Sequence, residues 1–138
     1  MNGIFVDTSG WANLFIKSEP LYRSAVGLIL TCQQQRGHIV TSNYVLAELS
    51  ALLMSPLRVD RETRLNLLHR IRTADWLEVI HVDPPCETES WEYLLSRRDK
   101  DFSLVDCSSF VIMQRLGLRN SLTTDGHFEQ AGFTRLLR

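Results

Sequence analysis

The sequence predicts a three-layer α/β/α sandwich around a central, mainly parallel sheet. Three observations carry this. Short apolar runs such as Ile4-Phe5-Val6 and Ile39-Val40 alternate along the chain with longer stretches of helical spacing. The runs are apolar on consecutive residues, as expected of strands covered on both faces. Each ends in a polar residue or a turn signal, so that strands are joined through helices and not through tight hairpins.

The elements follow in order. Ile4 to Val6 reads as a buried strand that stops at Asp7-Thr8-Ser9. Gly10 to Ile16 reads as a short helix. Pro20 suits a first helical turn, and Leu21 to Gln35 reads as a helix that Gly37 ends. His38 to Thr41 is a second strand. Asn43 to Met54 is strongly apolar and helical, stopped by Ser55-Pro56. Asp60 is placed to cap a helix running to Arg72. Leu77 to Val82 is a third strand, and Pro84 to Arg98 is helical. Ser103 opens a helix that ends at Gly117. Asn120 to Thr123 is a strand, and Phe133 to Leu137 is a candidate for the last one.

At 138 residues the chain fits one domain, expected to span 1–138, with a core of its own. Apolar residues make up 44% and charged residues 22%, and the net charge is −1, which argues against a basic protein that coats nucleic acid non-specifically. No apolar run approaches the ~20 residues that span a bilayer. Met1 to Asp7 lacks the basic and long apolar regions of a signal peptide, so a cytoplasmic location without a membrane partner is expected. Cys32, Cys86 and Cys107 have no paired C-x-x-C spacing and read as reduced apolar fillers.

In parallel α/β sheets, ligands bind at the carboxyl ends of the strands. Three acids meet that demand: Asp7 after the first strand, Asp125 after Leu122-Thr123-Thr124, and Asp106 in the first turn of the helix opened by Ser103. Each also has a purely structural reading. Asp7 can cap the next helix, Asp125-Gly126 can be only a turn, and Ser103-Leu104-Val105-Asp106 has capping-box spacing. Glu48 lies three and four residues from Tyr44, Val45, Ala51 and Leu52, which puts a carboxylate on an apolar stripe. A charge buried there needs a partner, either a basic side chain or a metal. Taken together, the four carboxylates would repel one another unless divalent cations joined them. All-oxygen ligation suits Mg²⁺ or Mn²⁺ and not zinc. Such ions activate a water and stabilise the leaving oxygen of a phosphodiester.

Phe5-Val6-Asp7-Thr8-Ser9-Gly10-Trp11 resembles the opening motif of a PIN domain, and Val45-Leu46-Ala47-Glu48-Leu49 its second. Asp99 to Phe110 resembles the third acidic motif. Leu122-Thr123-Thr124-Asp125-Gly126-His127-Phe128, followed by Ala131-Gly132-Phe133, resembles the fourth. Their order and spacing cover essentially the whole chain, and within the family the VapC-like toxins are the most similar subgroup. The resemblance implies a PIN-like fold and a Mg²⁺- or Mn²⁺-dependent endoribonuclease acting on structured RNA. It implies catalytic and metal-holding roles for Asp7, Glu48, Asp106 and Asp125. Asp7 and Asp106 correspond to the usual direct ligands, and Asp101 to an accessory acid. Thr8, Ser9 and Thr124 flank these acids and are placed to orient them or a bound phosphate. The family also implies a homodimer and a small VapB-like antitoxin partner. Because its chemistry does not use the RNA 2′-hydroxyl, the products should carry 5′-phosphate and 3′-hydroxyl ends.

Other groups fit less well. Arg97, Arg98 and Lys100 read equally as phosphate contacts and as a solvated helix end. His127 reads as a surface histidine. His38, His69 and His81 form no ligand pattern, and neither H-E-x-x-H nor G-x-S-x-G occurs, which argues against a zinc protease and an α/β-hydrolase. Trp11, Trp76 and Trp91 read as packing or interface residues. The apolar helix bearing Val45, Leu49, Leu52 and Leu53 carries more hydrophobic surface than one face easily buries, which would suit a dimer. Two alternatives share the fold: a PIN nuclease of RNA processing or repair without a toxin role, and a binding module that has lost catalysis. A phosphatase-like protein is more distant, since Asp7-Thr8-Ser9 lacks the D-x-D pattern.

Overall fold

The computed structural model describes residues 3–138. Five strands, β1 (Gly3–Val6), β2 (His38–Ser42), β3 (Glu78–Ile80), β4 (Asn120–Leu122) and β5 (Thr134–Arg135), form one sheet in the order β3-β2-β1-β4-β5. Every neighbouring pair is parallel. The connections β1→β2→β3 run toward one edge, and β4→β5 runs toward the other. Right-handed crossovers in opposite directions put helices on both faces. The central strands are accordingly covered on both faces: Ile4, Phe5, Val6, Val40 and Leu122 are fully buried, as are the polar Thr41, Ser42 and Ser121.

Seven helices complete the layers: α1 (Thr8–Phe15), α2 (Tyr22–Gln34), α3 (Asn43–Met54), α4 (Arg61–Thr73), α5 (Pro84–Ser96), α6 (Leu104–Leu116) and α7 (His127–Gln130). Ser42, Asp60, Asp83 and Ser103 cap α3, α4, α5 and α6 with their side-chain oxygens. The expected elements are all present with shifted ends. Helix α1 starts at Thr8 and not at Gly10, because Asp7 is extended and its carbonyl already accepts the Trp11 N–H at 3.0 Å. The residue that ends α2 in the left-handed region is Arg36, not Gly37. The edge strand β3 is shorter than Leu77 to Val82, and β5 is shorter than Phe133 to Leu137. Helix α7 was not expected, since four residues are too short to show a period.

The apolar surface expected of α3 is divided between a buried stripe and a part left at the surface. Val45, Leu49 and Leu53, spaced four apart, are fully buried within the chain's own core, and α3 packs on α1, α4 and α6. On the same helix Leu52 is half-buried and Met54 exposed, and apolar surface is also left at Leu30, Leu65, Trp91, Leu95 and Leu116. The other structural readings hold. Trp11 is fully buried with its indole N–H on Thr41 Oγ1 at 3.1 Å, and the three cysteines are free and buried.

Two packing features aim the site. Helix α1 lies directly on β4: a Cβ on Gly10 would sit 2.0 Å from the Leu122 carbonyl oxygen, a backbone atom that cannot step aside. Gly10→Ala should therefore lower the melting temperature, at a cost of about 1–3 kcal/mol from overpacking. An unchanged melting temperature would show that α1 is not held this closely. On the other side, Phe110 of α6 packs edge-on to Phe102 at 5.1 Å and to Phe128 at 5.0 Å, and stacks on Phe133 at 5.6 Å. This aromatic cluster ties the start of α6 to the segment that follows β4.

Candidate active site

Strand order reverses at β1, so the ends of β1 and β4 splay their connections to opposite faces and open a crevice between them. Val6 pairs with Leu122, and the Asp7 N–H donates to the Leu122 carbonyl at 3.2 Å. Asp7 and Thr123 thus emerge side by side at the mouth of that crevice.

Asp7 occupies the N-cap position of α1, yet its side chain makes no cap hydrogen bond. Oδ2 accepts instead from the Thr123 hydroxyl at 2.9 Å, and Oδ1 is a buried oxygen with no partner. The residue is only 4% exposed. Burial pushes its pKa up to about 7, against the opposing pull of the nearby Thr8 N–H and the Thr123 hydroxyl. The negative charges of Asp106 and Glu48 add to the rise.

Asp106 serves two purposes. Its Oδ2 accepts the Ser103 N–H at 3.0 Å while its own N–H donates to Ser103 Oγ at 3.0 Å, a complete capping box. That anchor holds the carboxylate at the first turn of α6, facing the crevice. Its pKa is raised by burial first and by the charge of Asp125 next. Asp125 likewise is both turn and site. Its Oδ1 accepts the His127 N–H at 2.9 Å, and its own N–H donates to Thr123 Oγ1 at 3.0 Å.

Glu48 differs from expectation. It is exposed on the flank of α3, because the buried stripe runs through Val45, Leu49 and Leu53. Its partner is neither a basic side chain nor a core group: Oε1 accepts the Thr8 hydroxyl at 2.5 Å. The four acids converge all the same, with the field of Glu48 and Asp106 acting on Asp7 and that of Asp125 on Asp106. Asp101 is not brought in; it is exposed, with no hydrogen bond or ion pair among the described residues. Arg97 and Lys100 engage their own segment, Arg97 over the Tyr93 ring and Lys100 on Asp99.

Two groups that sequence reasoning passed over are part of the site. Thr123 is its hub. A hydroxyl has one proton and two lone pairs; here the proton goes to Asp7, and the lone pairs receive the Asp125 N–H and the Ser9 hydroxyl at 3.1 Å. Ser9 in turn accepts the Thr124 N–H at 2.9 Å, and the Thr124 carbonyl accepts from Arg135 at 3.0 Å. Thr123→Val should keep the shape but free Asp7 and strand two buried donors, at a cost of about 1–3 kcal/mol. Any phosphodiester turnover should fall more than substrate affinity does; equal kcat in the valine variant would remove Thr123 from the machinery. The second group is His127, whose Nδ1 lies 3.0 Å from Asp125 Oδ1 and 3.5 Å from Asp106 Oδ2. It corrects the reading of a surface histidine.

The set fits a divalent cation. A buried carboxylate oxygen without a partner, carboxylates close enough to raise one another's pKa, and three donors from Asp106, Asp125 and His127 within 4.8 Å together describe a place that lacks positive charge.

Residues 4–134 match the model of the PIN domain family. The 23S rRNA-specific endonuclease VapC20 of Mycobacterium tuberculosis strain CDC 1551 / Oshkosh is 33% identical over 130 residues, covering 94% of this chain and 95% of the relative. The protein of the same name from strain H37Rv matches equally. The crystal structure of M. tuberculosis VapC20, described as a Sarcin-Ricin loop cleaving toxin, superposes with a TM-score of 0.82 at 29% identity over 98% of this chain and 99% of that one.

Proposed function

This chain belongs to the PIN-domain family, and on that premise we propose that it is a metal-dependent endoribonuclease, the toxin half of a VapBC-type pair, acting as a single PIN domain over residues 1–138. The observation that carries this is the buried, unpartnered Oδ1 of Asp7, a carboxylate in the field of Glu48 and Asp106, with Asp125 next to Asp106. The similarity to VapC20 supports RNA as the substrate class and makes 23S rRNA the first candidate.

Asp7, Asp106 and Asp125 would hold Mg²⁺ or Mn²⁺, with Glu48 at the rim. The ion when bound supplies Lewis-acid stabilisation of the phosphate and lowers the pKa of a water. The protein does the rest by placement. Thr123 fixes one oxygen of Asp7, and Ser103 fixes one oxygen of Asp106. Thr8 orients Glu48 so that its other oxygen can take the proton of an attacking water. The exposed Thr124 side chain can meet an RNA phosphate at the lip, while Ser9 holds the Thr124 backbone in place.

A small VapB-like antitoxin as partner, a homodimer and a cytoplasmic location complete the proposal. Among the described residues no helix is long and apolar enough to cross a membrane. Incubation of the purified chain with 23S rRNA and Mg²⁺ or Mn²⁺ should yield discrete fragments with 5′-phosphate and 3′-hydroxyl ends. Cyclic-phosphate ends, or fragments that persist in excess chelator, would overturn the mechanism.

A further inference from the structure

We propose that His127 is a nitrogen donor to the divalent cation of this site, giving a mixed imidazole–carboxylate ligand set that selects Mn²⁺ over Mg²⁺. This rests on the reading of the site as a cation-dependent nuclease centre. It adds to that reading a residue outside the acidic quartet.

The argument is geometric. Nδ1 of His127 stands 3.0 Å from one oxygen of Asp125 and 3.5 Å from Asp106 Oδ2, and one donor atom from each of the three residues lies within 4.8 Å of the others. Adjacent ligands of an octahedral ion with bonds of ~2.1 Å lie about 3 Å apart. The imidazole nitrogen and the Asp125 oxygen therefore already have the separation of neighbouring ligands. An ion entering between them would replace the direct contact that joins them now.

The ring is held in this pose. Its backbone N–H is bound by Asp125 Oδ1 at 2.9 Å, and its face meets Phe102 edge-on at 5.7 Å and 89°. Phe102 is itself packed on Phe110. The side chain remains 30% exposed, so an ion can reach it from solvent. An independent feature points to a cation in the same crevice: Asp7 Oδ1, buried and without a partner, belongs to a carboxylate within the field of Asp106.

The donor type then decides the ion. Oxygen-only sites serve Mg²⁺ well, whereas imidazole suits transition metals, and Mg²⁺ gives up its waters reluctantly for such a ligand. Removing His127 should therefore weaken Mn²⁺ more than Mg²⁺.

Pulsed electron paramagnetic resonance of the Mn²⁺-loaded wild-type protein should show coupling to a histidine ¹⁴N nucleus, and His127→Gln should lose it. Calorimetric titration with MnCl₂ and with MgCl₂ should show the Mn²⁺/Mg²⁺ affinity ratio falling about tenfold in the same variant, the scale of a lost metal-supporting group. Asp106→Asn should lose both ions. Bound Mn²⁺ without nitrogen coupling in the wild type, or a ratio unchanged in His127→Gln, overturns the assignment of His127 while leaving the carboxylate site and the nuclease reading in place. A wild-type protein that binds neither ion overturns both.

Discussion

Asp7→Asn should lower RNA cleavage by about 10³-fold or more, the several kcal/mol a cation contributes to such a transition state, while making the metal-free protein more stable. The two effects have one cause. The carboxylate is buried beside two other acids and has one oxygen without a donor, so its charge costs stability unless a cation offsets it. Its pKa rises from 3.8 to about 7 in the folded protein, and each unit is worth ~1.4 kcal/mol. Between these values the folded state holds a proton that the unfolded chain has released. The associated stability is complete below pH 3.8 and is lost as pH rises through about 7, by an amount on the order of 4 kcal/mol. Asparagine keeps an oxygen for the Thr123 hydroxyl and turns an amide toward Asp106 and Glu48, removing both the charge and the orphaned acceptor. In chelator, urea denaturation at pH 5 and pH 8 should show the wild type weakening with pH and Asp7→Asn staying level. Adding Mn²⁺ at pH 8 should restore the wild type alone. A wild type equally stable at both pH values would mean that Asp7 is not the charge reservoir argued above.

Induced expression of the wild-type chain should stop growth, Asp7→Asn should not, and co-expression of a small neighbouring gene should restore growth and yield a stable complex. The physical basis lies at two adjoining surfaces. The carboxylates of Asp7, Glu48, Asp106 and Asp125 are a receptor for a guanidinium, whose planar fork pairs with carboxylates. Helix α1 leads from that mouth to Phe15, about 10 Å along its axis. There Leu14, Phe15, Ile29, Leu30 and Trp76, with Gln33 and Arg70 beside them, line a mainly apolar groove. A disordered antitoxin segment that places an arginine among the acids can fold its apolar residues along this groove. Because Asp7→Asn removes one charge and leaves the groove intact, it should still co-purify with the partner. If the wild type is harmless at confirmed soluble levels and no partner co-purifies, the toxin role falls and the nuclease activity stands alone.

The site was legible in the sequence to the extent that its residues obey local rules. Asp7, Asp106 and Asp125 each follow a strand or open a helix, and in a parallel sheet those positions gather at one edge. The structural and functional readings of these acids turned out not to compete for Asp106 and Asp125. A carboxylate oxygen has two lone pairs, so Asp106 Oδ2 and Asp125 Oδ1 each accept a cap or turn hydrogen bond and still stand within 3.5 Å of His127 Nδ1 in the crevice. For Asp7 the capping reading failed, because the neighbouring strand offers a better donor in Thr123. That donor is 116 residues away, and no local pattern announces it. Glu48 was recognised as a site residue on a mistaken premise: the helical period places it beside the buried stripe, and only the packing of α3 decides that it lies on the exposed flank.

The alternation of apolar runs and helical periods, read with capping and turn chemistry, determined by itself an α/β/α sandwich and the four acids to examine. These are properties of neighbours along the chain, set by backbone geometry and by which faces must leave water. Tertiary structure alone decided the strand order that opens the crevice between β1 and β4, the role of Thr123 as hub, the entry of His127 and the exclusion of Asp101. Those outcomes depend on distances between residues far apart in sequence and on how deeply each carboxylate is buried. Burial is set by the whole core, and it is burial that makes Asp7 a group in need of a cation.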